Sequence, residues 1–507
     1  MKQGNILNNI YIYKIGYGGI GIGALADGKK VLVKGGALPK STVDIKVVKK
    51  KKDFIQGHII EIKKYDKKYT DGEVFCPHYF IPIGISEKNK LSHKIGCGGC
   101  KWQIMNYNKQ LELKHEIIKD GFGKILKKIE NLEIPSVIGA PIQKGYRNKI
   151  EFSFGVYISA KEGIDHRQNL GFHKQGEFSK IVDIDSCGLI SSKANQIFEY
   201  IKNICFQSGL PVFDQKTHQG FFRHLVIREG FNTNQILVNL SVFENNLKNN
   251  LNKKRDDFVE NIKKDNFLKE HITSFVITNN NGLADTVKSD QSETKTLRGD
   301  GFIYETLKFD EIIDKENKKI ECNFRVSPFS FFQTNTLGAQ NLLYEAYKMT
   351  GHIKGTILDL YCGTGTIGIS FLKAARGKNL VGVEIVQEAI IDAQYNAKIN
   401  GVDKDCFFLA SASEKAFTDN IQLKEKIKDL ELVIVDPPRD GMHKNLISFL
   451  IDLKKESDFK LLYISCNPIT MARDIEILID NGFKTKKIQA VDMFPQTHHI
   501  ELISVLG

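Results

Sequence analysis

At 507 residues the chain exceeds what one ordinary hydrophobic core supports, which points to two to four domains. Hydrophobic residues make up 41% and charged residues 26%, a globular balance, and no run of eighteen apolar residues offers a membrane-spanning helix. The formal charge of +12 suits a polyanionic partner, although a merely solvated lysine-rich surface would give the same number. The opening stretch, MKQGNILNN, has neither an apolar run nor a cleavage site, so a cytoplasmic protein is expected. Its nine cysteines should then be reduced, and the question is which bind metal and which do chemistry.

The first sixty or so residues alternate apolar and polar positions, as in YIYKIG, GKKVLVKGG, TVDIKVVKK and GHIIEIKK. That alternation predicts a small antiparallel barrel over residues 1–65, with Gly16, Gly18, Gly19, Gly21 and Gly23 at tight bends. A nucleotide-binding glycine loop is the rival reading, but no helix pattern follows it. Lys49, Lys50, Lys51 and Lys52 form a basic run, with Lys63, Lys64, Lys67 and Lys68 close behind. A small lysine-rich barrel is similar to an OB-type RNA-binding module, and the matching family is the TRAM domain of RNA-modifying enzymes.

Residues 66–325 read as a central α+β domain. A loop from Tyr65 to Cys100 precedes apolar spacing that predicts a helix over 106–130, a segment that could pack on the domain after it. RNKIEFSFGVYIS and RHLVIREG read as strands, and SSKANQIFEYIKNIC as a helix. Four cysteines fall in short motifs: Cys76 in CPHYF, Cys97 and Cys100 in GCGGC, and Cys187 in VDIDSCGL. The CxxC spacing lets two thiolates face one metal, and from spacing alone zinc and iron–sulfur are equally open. Cys205, Cys322 and Cys406 lack a ligand-like context and read as structural.

Over residues 326–507 helices alternate with short apolar strands (TILDLY, NLVGVEI, ELVIVDPP, KLLYISC), which predicts a doubly wound, mostly parallel sheet. ILDLYCGTGTIG places a glycine turn between a strand and a helix N-terminus, where free N–H groups can meet a ligand. Glu384 ends the next strand, twenty-five residues after Asp359, at the position that accepts ribose hydroxyls in such folds. Asp436 ends a third strand before two prolines, which hold it at the carboxyl edge of the sheet; helix capping is its ordinary alternative. The three elements together resemble a Class I, Rossmann-like methyltransferase site for S-adenosylmethionine.

Cys466 stands at the tip of KLLYISC, beside that edge, although a cysteine on an apolar strand is usually a small core residue. Carbon 5 of uracil is a weak nucleophile, and activating it for methyl transfer takes one thiolate and one general base. Near the chain end Glu501 is the candidate base and His498 its rival.

SFFQTN, DLYCGTG, DPPRDG, YISCNP and HHIEL occur in the order seen in bacterial RNA (uracil-5-)-methyltransferases. The likeness spans essentially the whole chain and is closest to the 23S ribosomal RNA enzymes that carry a TRAM domain and a [4Fe–4S] cluster. The resemblance implies S-adenosylmethionine contacts by Gln333, Tyr361, Glu384 and Asp436, with Thr366 and Ser411 at more variable cofactor positions. It further implies Cys466 as nucleophile, Glu501 as proton acceptor, and Cys76, Cys97, Cys100 and Cys187 as cluster ligands. Here the chain departs from the familiar pattern, because twenty residues separate Cys76 from Cys97 instead of a few. The alternatives to Cys76 as first ligand are His78 and His93. The expected partner is RNA, ribosomal RNA first, and the expected state is a monomer. A transfer-RNA uracil-5 methyltransferase and a non-catalytic RNA-binding or ribosome-assembly factor are the competing readings.

Overall fold

The computed structural model describes residues 3–79, 96–159, 163–174, 177–245, 247, 249–310, 319–375, 377–413, 416 and 421–507. His93 lies outside the described residues. Among the described residues no helix is long and apolar enough to cross a membrane.

The alternating N-terminal stretch forms β1 (Ile6–Gly16), β2 (Ile20–Ala24), β3 (Lys30–Lys34), β4 (Ser41–Lys50) and β5 (Phe54–Lys64). These close into a barrel in the order β1-β2-β3-β5-β4, all pairs antiparallel except β3 with β5. Every second residue turns inward, so Ile10, Ile12, Val31, Val33, Val43 and Ile45 are buried while Tyr11 and Tyr13 face out. Only part of the glycine set makes bends. Gly18 and Gly19 turn at φ +78° and +67°, but Gly21 and Gly23 lie inside β2. A Cβ on Gly21 would stand 2.6 Å from that of Ala37, and one on Gly23 would stand 2.7 Å from the Tyr11 carbonyl oxygen. Those two are needed for close strand packing.

Helix α1 (Tyr107–Gly121) is shorter than the spacing predicts. The helix stops at Gly121, where the Phe122 N–H closes the last turn on Ile118 and the fully buried Phe122 ring turns into the core; a single 3₁₀ turn, Ile125–Lys127, follows. Two glycines flanking Phe122 remove the helical preference that the apolar spacing would otherwise carry.

The central sheet holds β6 (Lys149–Ser159), β7 (Ile164–Lys174), β8 (Glu177–Asp183), β9 (Phe222–Gly230), β10 (Gln235–Val242), β11 (Ser274–Asn279) and β12 (Glu293–Arg298), in the order β12-β11-β10-β9-β6-β7-β8. Its core is completed by α2 (Ser192–Gln207), α3 (Asn249–Lys264) and α4 (Asn266–His271), through residues such as Phe198, Ile201, Phe258 and Leu268. A separate hairpin, β13 (Ile303–Asp310) with β14 (Lys319–Val326), follows.

The C-terminal unit runs α5 (Thr336–Thr350), β15 (Thr356–Leu360), α6 (Thr366–Ala375), β16 (Asn379–Glu384), α7 (Gln387–Ile399), β17 (Cys406–Ala410), α8 (Ile421–Lys426), β18 (Leu430–Val435), α9 (Lys444–Glu456), β19 (Lys460–Ser465), α10 (Pro468–Asp480), β20 (Ile488–Val491) and β21 (Glu501–Leu506). Its sheet order is β17-β16-β15-β18-β19-β21-β20, parallel through β19 and antiparallel in the last two. Strands buried on both faces read as continuous apolar runs, which is why this sheet is visible in the sequence. One face shares a core with the barrel and α1, joining Ile12, Val33, Trp102 and Phe122 to Leu358 and Val433. The other face packs with the β13–β14 hairpin, joining Leu307 and Phe324 to Ile357 and Ile434. Strand order reverses between the neighbouring strands β15 and β18, and in open sheets of this kind ligands bind beyond the strand ends at that point.

Candidate active site

Three carboxyl groups, Asp359, Glu384 and Asp436, come together at the carboxyl ends of β15, β16 and β18. Asp359, on β15, accepts the Gly368 N–H at 2.9 Å with one oxygen. Its other oxygen is buried with no hydrogen-bond partner. Glu384, at the end of β16, accepts the N–H groups of Gly363 (3.1 Å) and Val386 (3.0 Å). Asp436 follows β18, directly before Pro437 and Pro438. Burial pushes Asp436 up to about 7, and burial with the neighbouring Asp436 and Glu384 carboxylates does the same to Asp359. Among the described residues no lysine or arginine forms an ion pair with any of the three. A cradle of carboxyls without its own cation suits a positively charged ligand.

The turn between β15 and α6 is drawn tightly onto β16, because the Tyr361 and Cys362 N–H groups both donate to the Val383 carbonyl at 3.0 Å. Tyr361 adopts φ +74°, a conformation that side-chain-bearing residues seldom take outside functional turns. Gly363 and Gly365 continue the turn at φ +53° and +78°. Gln333 lies in the loop after β14, where its backbone carbonyl accepts the Asn148 side-chain amide at 2.9 Å. Thr366 pairs with Thr364 through hydroxyls 3.1 Å apart, and the Ser411 N–H donates to the Glu384 carbonyl at 2.8 Å.

Cys466 and Glu501 meet across β19 and β21. The register that pairs Ser465 with Leu502 carries the next residue of each strand, Cys466 and Glu501, to one level. Cys466 is half-buried and Glu501 only 7% exposed. Burial, Glu501 and Asp436 push the Cys466 thiol up to about 11, while the Arg439 guanidinium works in the opposite direction. Burial and Asp436 hold Glu501 well above the usual carboxylate range. His498 is driven down to about 3 by burial and by His499, Lys101, Lys114 and Arg439. Asn467 fixes the turn after Cys466: its side chain caps α10 at Ile469 and donates to the Arg439 carbonyl at 2.8 Å.

Two neighbours of this pair are not singled out by the sequence. Arg439 belongs to the DPPRDG turn, where a cation straight after a rigid double proline is the readable signal. Tyr17 arrives from the barrel turn; burial and its proximity to Cys466 and Glu501 raise its hydroxyl above the ordinary tyrosine value. No local pattern marks Tyr17, because its role depends on where the barrel docks. The adjacent Gly19 packs on His498, and a Cβ there would stand 3.2 Å from that side chain.

Cys76, Cys97, Cys100 and Cys187 line one cavity of 60 Å³, together with His78, Gln103 and Arg147. Cys97 is tied to the residues just after Cys76, since its N–H donates to the His78 carbonyl at 2.9 Å. Gly99 N–H donates to the Cys97 sulfur at 3.3 Å, Gln103 accepts the Cys76 N–H, and Asn195 accepts the Cys187 N–H. His78 instead accepts the Asp185 N–H at 3.0 Å through Nε2. Burial raises Cys100 to about 12 and Cys187 to about 11, so these thiols stay protonated unless a metal takes the proton's place. Among the described residues no group of three or more His, Cys, Asp or Glu side chains forms a ready metal-ion site.

Residues 291–506 match the family model described as tRNA (Uracil-5-)-methyltransferase. Over 100% of its length the chain is 32% identical to 99% of a protein of Caldanaerobacter subterraneus subsp. tengcongensis that is named an RNA methyltransferase. A Clostridium tetani protein of the same name is 33% identical, over 97% of this chain and 95% of that one. The solved structure of the Pyrococcus abyssi tRNA (uracil-54, C5)-methyltransferase, bound to S-adenosyl-L-homocysteine, is 26% identical with a TM-score of 0.66, covering 99% of this chain and 100% of that one. A doubly wound sheet with a carboxyl cluster at its switch point, joined to this likeness, defines an S-adenosylmethionine-dependent RNA methyltransferase. Within that class the chain belongs to the RNA (uracil-5-)-methyltransferase family.

Proposed function

We propose that this enzyme methylates carbon 5 of a uridine through a covalent adduct between Cys466 and carbon 6. The pairing of Cys466 with Glu501 across β19 and β21, beside Asp436, carries the reading. The Cys466 thiolate adds to carbon 6, and the displaced electron pair makes carbon 5 nucleophilic. S-adenosylmethionine, when bound, supplies a methyl group on a positively charged sulfur, which Gln333, Tyr361, Glu384 and Asp436 would hold beside carbon 5. Glu501 then takes the proton from methylated carbon 5, the carbon 5–carbon 6 double bond reforms, and Cys466 leaves as thiolate. A carboxylate of raised affinity for protons suits that step, whereas His498, driven down to about 3, is a poor acceptor.

Cys76, Cys97, Cys100 and Cys187 would hold a [4Fe–4S] cluster, a soft four-thiol set in a largely apolar cavity. The cluster has a supporting part in this reading and enters no step of the methyl transfer. For the acceptor we favour ribosomal RNA, on the combination of an RNA-binding type of barrel with this cysteine set. Transfer RNA is the second reading, supported by the whole-chain likeness to the Pyrococcus abyssi enzyme, which spans the barrel too. Mapping 5-methyluridine in ribosomal and transfer RNA from cells lacking the protein separates the two.

The chemistry is tested with two variants. Cys466→Ala should abolish methyl transfer and leave S-adenosylmethionine binding nearly intact; substantial residual turnover removes the nucleophile assignment. Glu501→Gln should accumulate an RNA adduct at Cys466 that survives denaturation, and its absence would transfer the base role to His498.

A further inference from the structure

A cleft of 830 Å³ runs between the barrel, the Gly98–Lys101 loop and the β7–β8 ribbon, and it ends on His498, three residues before Glu501. That volume lies within the range of ligand-binding clefts. The barrel contributes Lys34 and His58 to its wall and the loop contributes Lys101. Neither lysine forms an ion pair among the described residues. Glu177 is the carboxylate on the described wall, and it is occupied by Lys174 at 2.9 Å and Lys180 at 2.6 Å. Lys34 and Lys101 therefore give the cleft positive charge that no carboxylate pairs with among the described residues, and the cleft reaches His498.

Phe178 stands in the same wall with 61% of its surface exposed, an unusual place for a phenyl ring. It is firmly backed. The His173 imidazole lies parallel against it, with centroids 4.5 Å apart and planes 5° from parallel. His173 is fixed at both nitrogens: Nδ1 donates to the Phe178 carbonyl at 2.5 Å, and Nε2 faces the Asp285 carboxylate at 2.8 Å. Asp285 is in turn held by the Gln215 amide at 2.5 Å. An aromatic ring held by a part-buried network, with most of its surface open beside a basic cleft, has the features of a stacking surface for a nucleobase.

We propose that Phe178, backed by His173, is the platform on which an unpaired base flanking the target uridine stacks, while Lys34 and Lys101 face the adjoining phosphates. The inference rests on the reading that Cys466 attacks a uridine in RNA. It deepens that reading by placing recognition of a neighbouring base on the central domain. Stacking tolerates any base, so this contact would hold the strand in place and leave discrimination to other groups.

The test uses the full-length holoenzyme and a short fluorescein-labelled single-stranded oligoribonucleotide containing uridine, with a second copy in which the flanking base is abasic. Phe178→Ala should weaken binding about tenfold or more, Phe178→Trp should retain it, and Phe178→Leu should resemble alanine because an aliphatic side chain has no stacking face. Methyl transfer at saturating RNA should be little changed in Phe178→Ala, so that KM rises while kcat stays. The abasic probe should bind wild type and Phe178→Ala equally. Lys34→Gln should instead flatten the dependence of binding on salt. Binding by Phe178→Ala within twofold of wild type, with the variant folded by circular dichroism, overturns the platform and leaves the Cys466 chemistry standing. A normal Phe178 effect with no Cys466 adduct would overturn the nucleophile and leave the platform.

Discussion

The Cys466 thiol, raised to about 11, is a weak nucleophile at neutral pH, and the surrounding charges decide how weak. Burial, Glu501 and Asp436 all favour the protonated thiol, whereas Arg439 favours the thiolate. Replacing Arg439 with glutamine removes that one stabilising charge, so the Cys466 midpoint should move upward. The guanidinium is exposed and screened, which limits the shift to about one unit or less. The pH dependence of Cys466 carboxamidomethylation, followed by peptide-resolved mass spectrometry, reads it directly; a downward or absent shift would remove Arg439 from the site. DPPRDG is legible as a rigid strand-end turn that presents Asp436. The aim of Arg439 is not, because it depends on Gly441 at φ +80° and on Asp474, which accepts the Met442 N–H at 2.8 Å and the Tyr463 hydroxyl at 2.7 Å.

Helix α1 shows the same difference one level up. Its apolar spacing is enough to predict a helix, but the residue that anchors it is a lysine, a type read as exposed from sequence. Lys114 is fully buried and meets Asp492, also fully buried, at 2.7 Å. Tyr107 donates to the second Asp492 oxygen at 2.9 Å, and Gln110 bonds Gln496 in both directions. The helix thereby clamps the segment between β20 and β21, the stretch that delivers His498 and Glu501. Lys114→Ala would leave a buried carboxylate without its partner, which costs about 3–5 kcal/mol. Urea unfolding should report that loss. The double variant Lys114→Ala with Asp492→Ala should lose clearly less than the sum of the singles, because the stranded charge is gone. Additive losses would mean that the pair is not coupled.

At the scale of the molecule, the catalytic sheet was legible because buried parallel strands are apolar runs and its motifs fall in chain order, and the barrel because its strands alternate. The seven-stranded central sheet was not, since β6 pairs with β9 across some seventy residues and no local pattern encodes that partner. Nor did any local pattern show that the cysteine loop reaches the active site. The N–H groups of Lys101 and Trp102 both donate to the Gln496 carbonyl, at 3.0 and 3.1 Å, so the loop bearing Cys97 and Cys100 also holds the segment before His498. The carboxyl cradle instead hangs on β15, β16 and β18, with no hydrogen bond to that loop among the described residues. These two attachments predict separable effects of removing the proposed cluster. Cys100→Ser should lose the visible absorbance of anaerobically purified protein, together with most RNA binding and methyl transfer, as the loop slackens. S-adenosylmethionine affinity, measured calorimetrically on the same sample, should stay within about threefold of wild type, because the cradle's own supports are intact. A colourless wild-type protein holding stoichiometric zinc would overturn the iron–sulfur assignment, and full methyl transfer by Cys100→Ser would overturn the bracing role of the loop.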